Sequence, residues 1–303
     1  MMFGLGMLAL LCLAWLPFAM LLHPLLPERW ARPLGRRVIM GAFRIYLHFL
    51  ELFCACRFEL AELDRLRGDG ALVLVANHPS LLDVVMIVSR LPNAVCVMKA
   101  TLMDKLLLGA AARLARYIPN NASIRLVLNA RDELRKDSQL LIFPEGTRTT
   151  AFPIGPCTPG AGLIAHSAKV PVQTLLIDFD APPYLGKAWP LFRRPSLPLH
   201  FRVRLGRRFE APSDAKVFAR QLEAYFCAEL GSGEYFGEVA LLMDTPRSAT
   251  VVAIQPTTLL RLDSHEFDEL VSESKGMKQA MERVSSRRVL SNERWLRENA
   301  TAG

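Results

Sequence analysis

A short polar segment carries the residue types that an acid–base reaction needs. Asn77 and His78 directly follow the apolar run Ala71–Ala76, and Asp83 lies five residues beyond the histidine. Histidine side chains change charge near neutral pH, which suits a general base. The spacing lets the carboxylate of Asp83 reach back to the imidazole and stabilise the imidazolium that forms when His78 takes a proton.

The same segment also fits the start of a helix. Ser80 and Asp83 have the spacing of a capping box, in which Ser80 caps the helix and Asp83 supplies negative charge in its first turn. On that interpretation His78 is an ordinary loop residue. The sequence therefore leaves both a catalytic and a structural role open for Asp83.

A second motif follows the apolar run Gln139–Phe143. It consists of Phe143, Pro144, Glu145, Gly146, Thr147 and Arg148. The guanidinium of Arg148 can form paired hydrogen bonds with a phosphate, and the backbone near Gly146 permits a close approach. The alternative interpretation is a Pro-Gly turn that carries a solvent-exposed charge pair.

Short runs rich in valine, leucine and isoleucine alternate with helical stretches from residue 71 onwards. Buried strands are predicted at Ala71–Ala76, Ala94–Met98, Gln139–Phe143 and Val170–Ile177, and an alternating edge strand at Leu199–Leu205. Helices are predicted near 81–89, 102–115, 123–136 and 214–230. This alternation indicates an α/β fold, a sheet flanked by helices, in which both motifs meet at the carboxyl ends of neighbouring strands.

Residues 1–57 are predicted to form a two-helix membrane anchor. The uncharged run Phe3–Leu22 reaches the roughly 20 residues that a helix needs to cross a bilayer. A cleavable signal peptide fits less well, because no basic residue precedes the run and no small-residue cleavage site follows it. A second helix is predicted near 34–57, and the arginines after the first run favour the cytoplasmic face of the membrane.

The composition favours an acidic partner. The formal net charge is +8 and 51% of the residues are apolar, which suits anionic lipid or a phosphorylated substrate. The sequence contains no basic motif of a nucleic-acid-binding module, so no nucleic acid is predicted as a partner. The six cysteines are scattered and are predicted to be reduced, and no metal site is predicted because Cys54 and Cys56 lack a second ligand pair.

The two motifs together resemble those of the glycerolipid acyltransferases typified by lysophosphatidic acid acyltransferase. Lys99, and the segment 170–172, resemble weaker blocks of that family, and the resemblance covers about residues 1–230. It implies that His78 deprotonates the acceptor hydroxyl, that Asp83 orients His78, and that the hydroxyl attacks the thioester of acyl-CoA or acyl-carrier protein. No cofactor is implied beyond that thioester co-substrate.

The resemblance also assigns the substrate-binding residues, which are Glu145, Gly146, Thr147, Arg148 and Lys99. The implied acceptor is a lysophospholipid, in the first place 1-acylglycerol-3-phosphate. The sequence departs from the family pattern in the segment 117–121, where Asn120 and Asn121 stand in place of an expected arginine, and Arg116 and Arg125 are the candidate substitutes. A different acceptor, such as a lyso-ornithine lipid, is therefore the alternative.

The segment 231–303 does not continue this pattern. Part of it resembles the phosphate-binding cassette of cyclic-nucleotide-binding domains, with Gly237, Glu238, Arg247 and Ser248 as the candidate nucleotide-binding residues. The strands that precede the cassette in that family are missing, so the segment is predicted to be a small partial β-roll, with a short helix after Gly237 and further helices near 264–271 and 274–290. The predicted domains are thus 1–57 (membrane anchor), 58–230 (acyltransferase) and 231–303 (cyclic-nucleotide-binding-like). Two interpretations of the last remain: a nucleotide-responsive regulator, or a remnant that binds nothing.

Overall fold

The structure is a computed structural model that describes most of the first 231 residues. The described ranges are 2–120, 123–150, 153–179, 185–186 and 197–231, with short stretches at 237–243, 245–247, 250–251, 263–265 and 267–268. The chain divides into two compact units, Met1–Ser232 and Gly233–Gly303.

Among the described residues, the first unit is organised around one mixed seven-stranded sheet. Its strands are β1 (Cys56–Glu59), β2 (Leu72–Ala76), β3 (Ala94–Lys99), β4 (Ile118–Asn120), β5 (Gln139–Ile142), β6 (Val172–Phe179) and β7 (Leu199–Phe209). They are ordered β1-β7-β6-β2-β5-β3-β4. All neighbours are parallel except β6 and β7, which are antiparallel.

The helices cover the sheet and, at the N-terminus, extend beyond it. They are α1 (Met2–Leu25), α2 (Glu28–Phe53), a 3-10 helix (Ala61–Leu66), α3 (Leu82–Val88), α4 (Ala100–Met103), α5 (Leu106–Leu114), α6 (Ser123–Leu134), α7 (Gly160–Ala168) and α8 (Ala215–Gly231) in the first unit, and α9 (Glu238–Leu242) in the second. Every residue of β2 and β5 is buried, as expected for strands with helices on both faces. The predicted α/β fold is confirmed.

The prediction of β7 as an edge strand is wrong. The alternating burial along Leu199–Phe209 is present in its first half, but β1 pairs with β7 on its outer side and takes the edge position. β1 and β4 are only four and three residues long. Such short strands leave too weak a periodic pattern to be predicted from the sequence.

Helix α2 is tied to the sheet by a buried arginine. The Arg36 side chain is 2% exposed and donates through Nε to the Ala115 carbonyl at 3.1 Å, and through Nη1 to Asn93 Oδ1 at 2.7 Å and Ser138 Oγ at 2.8 Å. Its Nη2 meets the carboxylate of Glu133 at 2.5 Å. A buried guanidinium is tolerated when its donors are matched in this way. Residues 1–57 are therefore joined to the following residues within one compact unit, rather than forming a unit apart.

Helix α1 supplies the candidate membrane segment. Within the described residues, Gly6–Leu25 is the one helical stretch that is long and apolar enough to cross a membrane, and 6% of it is buried inside the protein. Leu13, Phe18 and Leu21 are all more than half exposed. The length, apolar composition and exposure of α1 fit the predicted first anchor helix.

Candidate functional site

The two polar motifs leave the sheet side by side. β2 and β5 are adjacent and parallel, with Val75 in register with Ile142. The loops that begin at Asn77 and Phe143 therefore emerge at the same carboxyl edge of the sheet, where open α/β sheets place their ligands. The rings of His78 and Phe143 stack with centroids 3.9 Å apart.

His78 and Asp83 form the expected contact. His78 Nδ1 lies 2.8 Å from Asp83 Oδ2, and the side chains are 15% and 0% exposed. The backbone N–H of Ser80 donates to the same Oδ2 at 2.8 Å, and the N–H of Leu82 donates to Ser80 Oγ at 3.1 Å. One carboxylate oxygen thus pairs with His78 and also holds the turn that precedes α3. The N-cap residue of α3 is Leu81, without a side-chain cap bond, rather than the predicted Ser80.

Burial makes Asp83 a stronger base than an ordinary aspartate. Desolvation raises its pKa from 3.8 to about 6, with a smaller upward contribution from the charge of Glu145. The hydrogen bond and charge of His78, and the N–H of Ser80, act in the opposite direction. Asp83 Oδ1 is buried without a hydrogen-bond partner among the described residues. The carboxylate therefore depends on His78 and Ser80 to offset the cost of its burial.

The second motif braces the first through Glu145. Glu145 Oε1 accepts from the backbone N–H of His78 at 3.3 Å and from the Thr149 hydroxyl at 2.6 Å, and Oε2 accepts from the N–H of Gly155 at 2.8 Å. Thr149 adds two more bonds to His78, from its own N–H to the carbonyl and from the His78 N–H to its Oγ1. Both carboxylate oxygens of Glu145 thus bind donors of the protein, which favours a positioning role over the predicted contact with substrate.

Arg148 also lies at this edge. Its Nη1 donates to the carbonyls of Leu185 and Gly186 at 2.9 and 3.0 Å, and the N–H of Leu81 donates to the same Leu185 carbonyl at 3.4 Å. The half-buried guanidinium and the loop that carries His78 therefore meet at one carbonyl. The sequence did not predict the contacts with 185–186, because nothing in the motif specifies a partner 37 residues away.

The remaining predicted substrate residues are placed as follows. Gly146 is exposed and has a φ of 66°, a conformation that favours glycine in the turn after β5. Thr147 is half-buried beside it. Lys99 ends β3, the strand on the other side of β5, and its side chain is exposed. All three lie at the carboxyl edge.

Sequence reasoning missed the positioning role of Asn77. This residue is fully buried, and its side-chain amide accepts from the Ile177 N–H at 2.8 Å and donates to the Ile177 carbonyl at 3.0 Å. The paired bonds attach the start of the His78 loop to β6. A polar amide directly after a wholly apolar strand was the available signal, since a buried amide must find partners.

Replacing Glu145 by glutamine tests whether its hydrogen bonds hold the His78 loop in place. The carboxylate accepts from three N–H or O–H donors, whereas the amide turns one end into a donor that faces another donor. We expect the free energy of unfolding to fall by about 1–3 kcal/mol and turnover to fall at least about tenfold. Chemical denaturation and an acyl-transfer assay measure the two effects. Glu59→Gln is the control, because that side chain is 68% exposed; an equal effect of both substitutions contradicts the brace.

The second unit brings two of its four predicted nucleotide residues together. Gly237 has a φ of 87°, and a Cβ added there would overlap the guanidinium of Arg247. The short helix α9 follows Gly237, as predicted. The side chain of Glu238 and all of Ser248 lie outside the described residues, as do most of the helices predicted near 264–271 and 274–290.

Comparison with known proteins identifies both parts of the chain. Residues 57–178 match the family model described as Acyltransferase, and residues 216–274 match the model described as Cyclic nucleotide-binding domain. The fold is similar to the crystal structure of the 1-acyl-sn-glycerophosphate (LPA) acyltransferase PlsC from Thermotoga maritima, with a TM-score of 0.57 and 16% identity. That similarity covers 78% of this chain and 99% of the other.

A relative with a known role matches a shorter stretch of the chain. A cAMP-dependent protein kinase regulatory subunit from Dictyostelium discoideum is 45% identical over 72 residues, which is 22% of this chain and 22% of that protein. The chain therefore matches about a fifth of the length of this relative. Residues 57–178 thus match the acyltransferase family, and residues 216–274 match the cyclic nucleotide-binding family.

Proposed function

We propose that the chain transfers a fatty acyl group from acyl-CoA or acyl-carrier protein to the free hydroxyl of a lysophospholipid, in the first place 1-acylglycerol-3-phosphate. The observation that carries this proposal is the buried Asp83 carboxylate 2.8 Å from His78 Nδ1, at the carboxyl edge of the sheet. The acyltransferase family match over residues 57–178 supports it. The reaction takes place at the cytoplasmic face of the membrane, with α1 as the anchor.

The chemistry follows from which imidazole nitrogen is occupied. Asp83 holds Nδ1, so Nε2 takes the proton from the acceptor hydroxyl. The oxygen then forms a bond to the thioester carbonyl carbon, the carbon–sulfur bond breaks, and the departing thiolate recovers the proton from the imidazolium. Because a thioester is already activated, a positioned base suffices without an acyl-enzyme intermediate.

Direct assay tests this proposal. The purified chain in detergent is incubated with labelled acyl-CoA or acyl-carrier protein and a panel of lyso-lipids, and the products are identified by mass spectrometry. We expect transfer to a lysophospholipid. The panel includes a lyso-ornithine lipid, since the asparagine at position 121 departs from the family pattern. Absence of transfer from both donors to every acceptor overturns the proposal.

Arg148 is the residue that we expect to bind the acceptor phosphate, together with Lys99. Arg148→Ala is expected to raise the acceptor KM about tenfold or more, because a charge-assisted hydrogen bond is worth about 1.5–3 kcal/mol. Steady-state kinetics with a phosphorylated and an unphosphorylated acceptor measure the effect. Arg202→Ala is the control, since that side chain is 53% exposed and pairs with Glu59. An unchanged KM for the phosphorylated acceptor removes the phosphate role.

A second candidate function is the response to a cyclic nucleotide. It is favoured by the position of the Arg247 guanidinium directly against Gly237, where no side chain separates the cation from the backbone. The family match that begins at residue 216 also favours it. That match starts inside α8, whose Phe218, Leu222 and Phe226 are buried in the core of the first unit. One helix therefore belongs to both the acyltransferase core and the nucleotide-binding match, and it provides a covalent route for regulation.

Calorimetric titration of the full chain with cyclic AMP tests this function. We expect saturable heat that Arg247→Ala reduces at least about tenfold in affinity, because the substitution removes the countercharge of a phosphate. Arg57→Ala, an exposed arginine on β1, is the control. If the parent chain shows no heat at high protein concentration, the segment is a remnant and this function is discarded.

A further inference from the structure

Exposed apolar side chains follow several strands at the carboxyl edge that carries the candidate active site. We name them the rim, and it consists of Leu81, Leu102, Ile124 and Leu128, which are 51%, 39%, 77% and 42% exposed. Each belongs to the loop or helix that follows β2, β3 or β4. Because parallel strands end at the same edge, the rim and His78 lie on the same side of the sheet.

Helix α6 shows that the rim is more than scattered exposed leucines. Leu126, Ala130 and Leu134 are buried and form the face that packs on the core. Ile124 and Leu128 lie one turn apart on the opposite face, where a helix at a water-exposed surface normally carries polar residues. α6 is therefore apolar on two faces near its N-terminus, and only one of them is covered within the described residues.

Helix α4 also exposes an apolar side chain next to cations. It is a single turn, Ala100–Met103, that follows β3 directly and has no buried residue. Its exposed Leu102 has exposed Lys99 before it and exposed Lys105 after it. Exposed Arg125 lies beside Ile124 in the same way, and Asp104 is the acidic residue of this stretch. Apolar side chains set among cations match the boundary between the headgroups and acyl chains of an anionic bilayer.

Helix α5 lies between one part of the rim and the candidate membrane helix. It begins three residues after α4 ends, and its Ala110 and Leu114 pack with Ala19 of α1. Helix α4, which carries Leu102, and helix α1 therefore both pack on α5. An exposed apolar patch on the same unit as a candidate membrane segment is a surface for lipid.

We propose that the rim inserts into the interfacial layer of an anionic membrane, so that the active-site edge takes its lyso-lipid acceptor from the bilayer rather than from water. This inference rests on the proposed acyltransferase function. The rim then acts on delivery of a bilayer-bound acceptor and leaves the chemistry at His78 unchanged.

Kinetics with two forms of acceptor test the rim. The doubly substituted Ile124→Ser/Leu128→Ser chain is assayed with a long-chain lyso-lipid in anionic vesicles and with a short-chain acceptor below its critical micelle concentration. We expect kcat/KM to fall about tenfold or more with vesicles, since two exposed apolar side chains no longer enter the bilayer. With the monomeric acceptor we expect kcat/KM to stay within about twofold of the parent.

Matched controls come from elsewhere on the same unit. Leu163 on α7 and Val217 on α8 are 44% and 53% exposed, and Leu163→Ser/Val217→Ser is expected to leave both activities unchanged. An unchanged vesicle activity of the rim variant overturns the proposal, and so does an equal loss with both acceptors. A change in oligomeric state in detergent, with vesicle activity retained, assigns the rim to a second copy of the chain and also overturns it.

A binding measurement separates the rim from the proposed function. Ile124→Trp is mixed with vesicles of brominated anionic lipid, and its quenching beyond that of the parent chain is compared with Val217→Trp. Extra quenching at position 124 alone supports insertion, even if no acyl transfer is detected with any acceptor. Equal quenching at 124 and 217 overturns insertion, even in a chain that is fully active.

Discussion

Replacing His78 by alanine is expected to lower kcat/KM for acyl transfer by roughly 10²–10⁴-fold, the range that a positioned general base contributes. The acceptor hydroxyl then has no group of suitable basicity at the position that Nε2 occupies. The KM for the acyl donor is expected to change little, because the imidazole acts on the acceptor. Steady-state kinetics with saturating donor measure the loss.

The loop around His78 should keep its shape in this variant. The N–H of His78 binds Glu145 and Thr149, and its carbonyl accepts from the Thr149 N–H at 2.7 Å. These are backbone bonds that alanine retains. The structural losses are the stack on Phe143, which is worth about 1 kcal/mol, and the bond from the imidazole that offsets the burial of the Asp83 carboxylate. A large fall in activity in a chain that still folds cooperatively is therefore the expected signature of a catalytic base.

His48→Ala provides the matched control. His48 is 78% exposed on α2 and lies 3.8 Å from Glu51, so its removal is expected to leave kcat/KM within about twofold of the parent. If His78→Ala retains more than about a tenth of the parent activity, the acid–base role is wrong and the histidine belongs to the loop structure alone.

The sequence predicts the His78–Asp83 contact better than it predicts the hydrogen bonds that hold the surrounding loop in place. The His78–Asp83 contact follows from a spacing of five residues at a strand end, so it depends only on local geometry. The four strands predicted from runs of apolar residues and the one predicted from alternation are all present. Signals of this kind are local, and both periodicity and spacing can be read along a single stretch of chain.

The supporting contacts are non-local, and the sequence carries no such signal for them. Glu145 was predicted to bind substrate, yet it binds the N–H groups of His78, 67 residues away, and Gly155, 10 residues away. Of the two adjacent arginines on α2, Arg36 is buried and Arg37 is exposed, and no local pattern in the sequence distinguishes them. Which of two adjacent arginines is buried depends on where Glu133, 97 residues away, places its carboxylate.

Replacing Asp83 by asparagine is expected to lower kcat/KM by roughly 10³-fold or more. Oδ2 of Asp83 accepts from both His78 Nδ1 and the Ser80 N–H, and an amide oxygen can take the same place. The loop geometry is then kept while the charge is lost. The imidazolium that forms during transfer no longer faces a carboxylate, so the loss of activity reports the charge rather than the position of Asp83.

The same substitution, which lowers activity, is expected to raise stability relative to the parent as the pH rises. Burial raises the pKa of Asp83 from 3.8 to about 6, so the folded chain binds this proton more tightly than the unfolded chain. The stability that Asp83 contributes is therefore complete below about pH 4 and is lost as the pH rises through about 6. Asparagine carries no charge at any pH. The difference in free energy of unfolding, Asp83→Asn minus parent, should therefore increase between pH 4 and pH 7 by an amount of the order of 3 kcal/mol.

Urea denaturation in detergent at several pH values measures this gain, and Asp214→Asn is the contrasting control. Asp214 accepts from the N–H groups of Lys216 and Val217 at the start of α8, which lowers its pKa. Its contribution is thus present at neutral pH and lost in acid, so its variant should lose stability relative to the parent as the pH rises. If the curves of Asp83→Asn and the parent stay parallel from pH 4 to 7, the buried carboxylate does not titrate there. In a chain that evolved for stability alone, a buried charge of this cost would be replaced. An inactive Asp83→Asn whose stability rises relative to the parent between pH 4 and 7 is therefore the result that identifies the carboxylate as kept for catalysis.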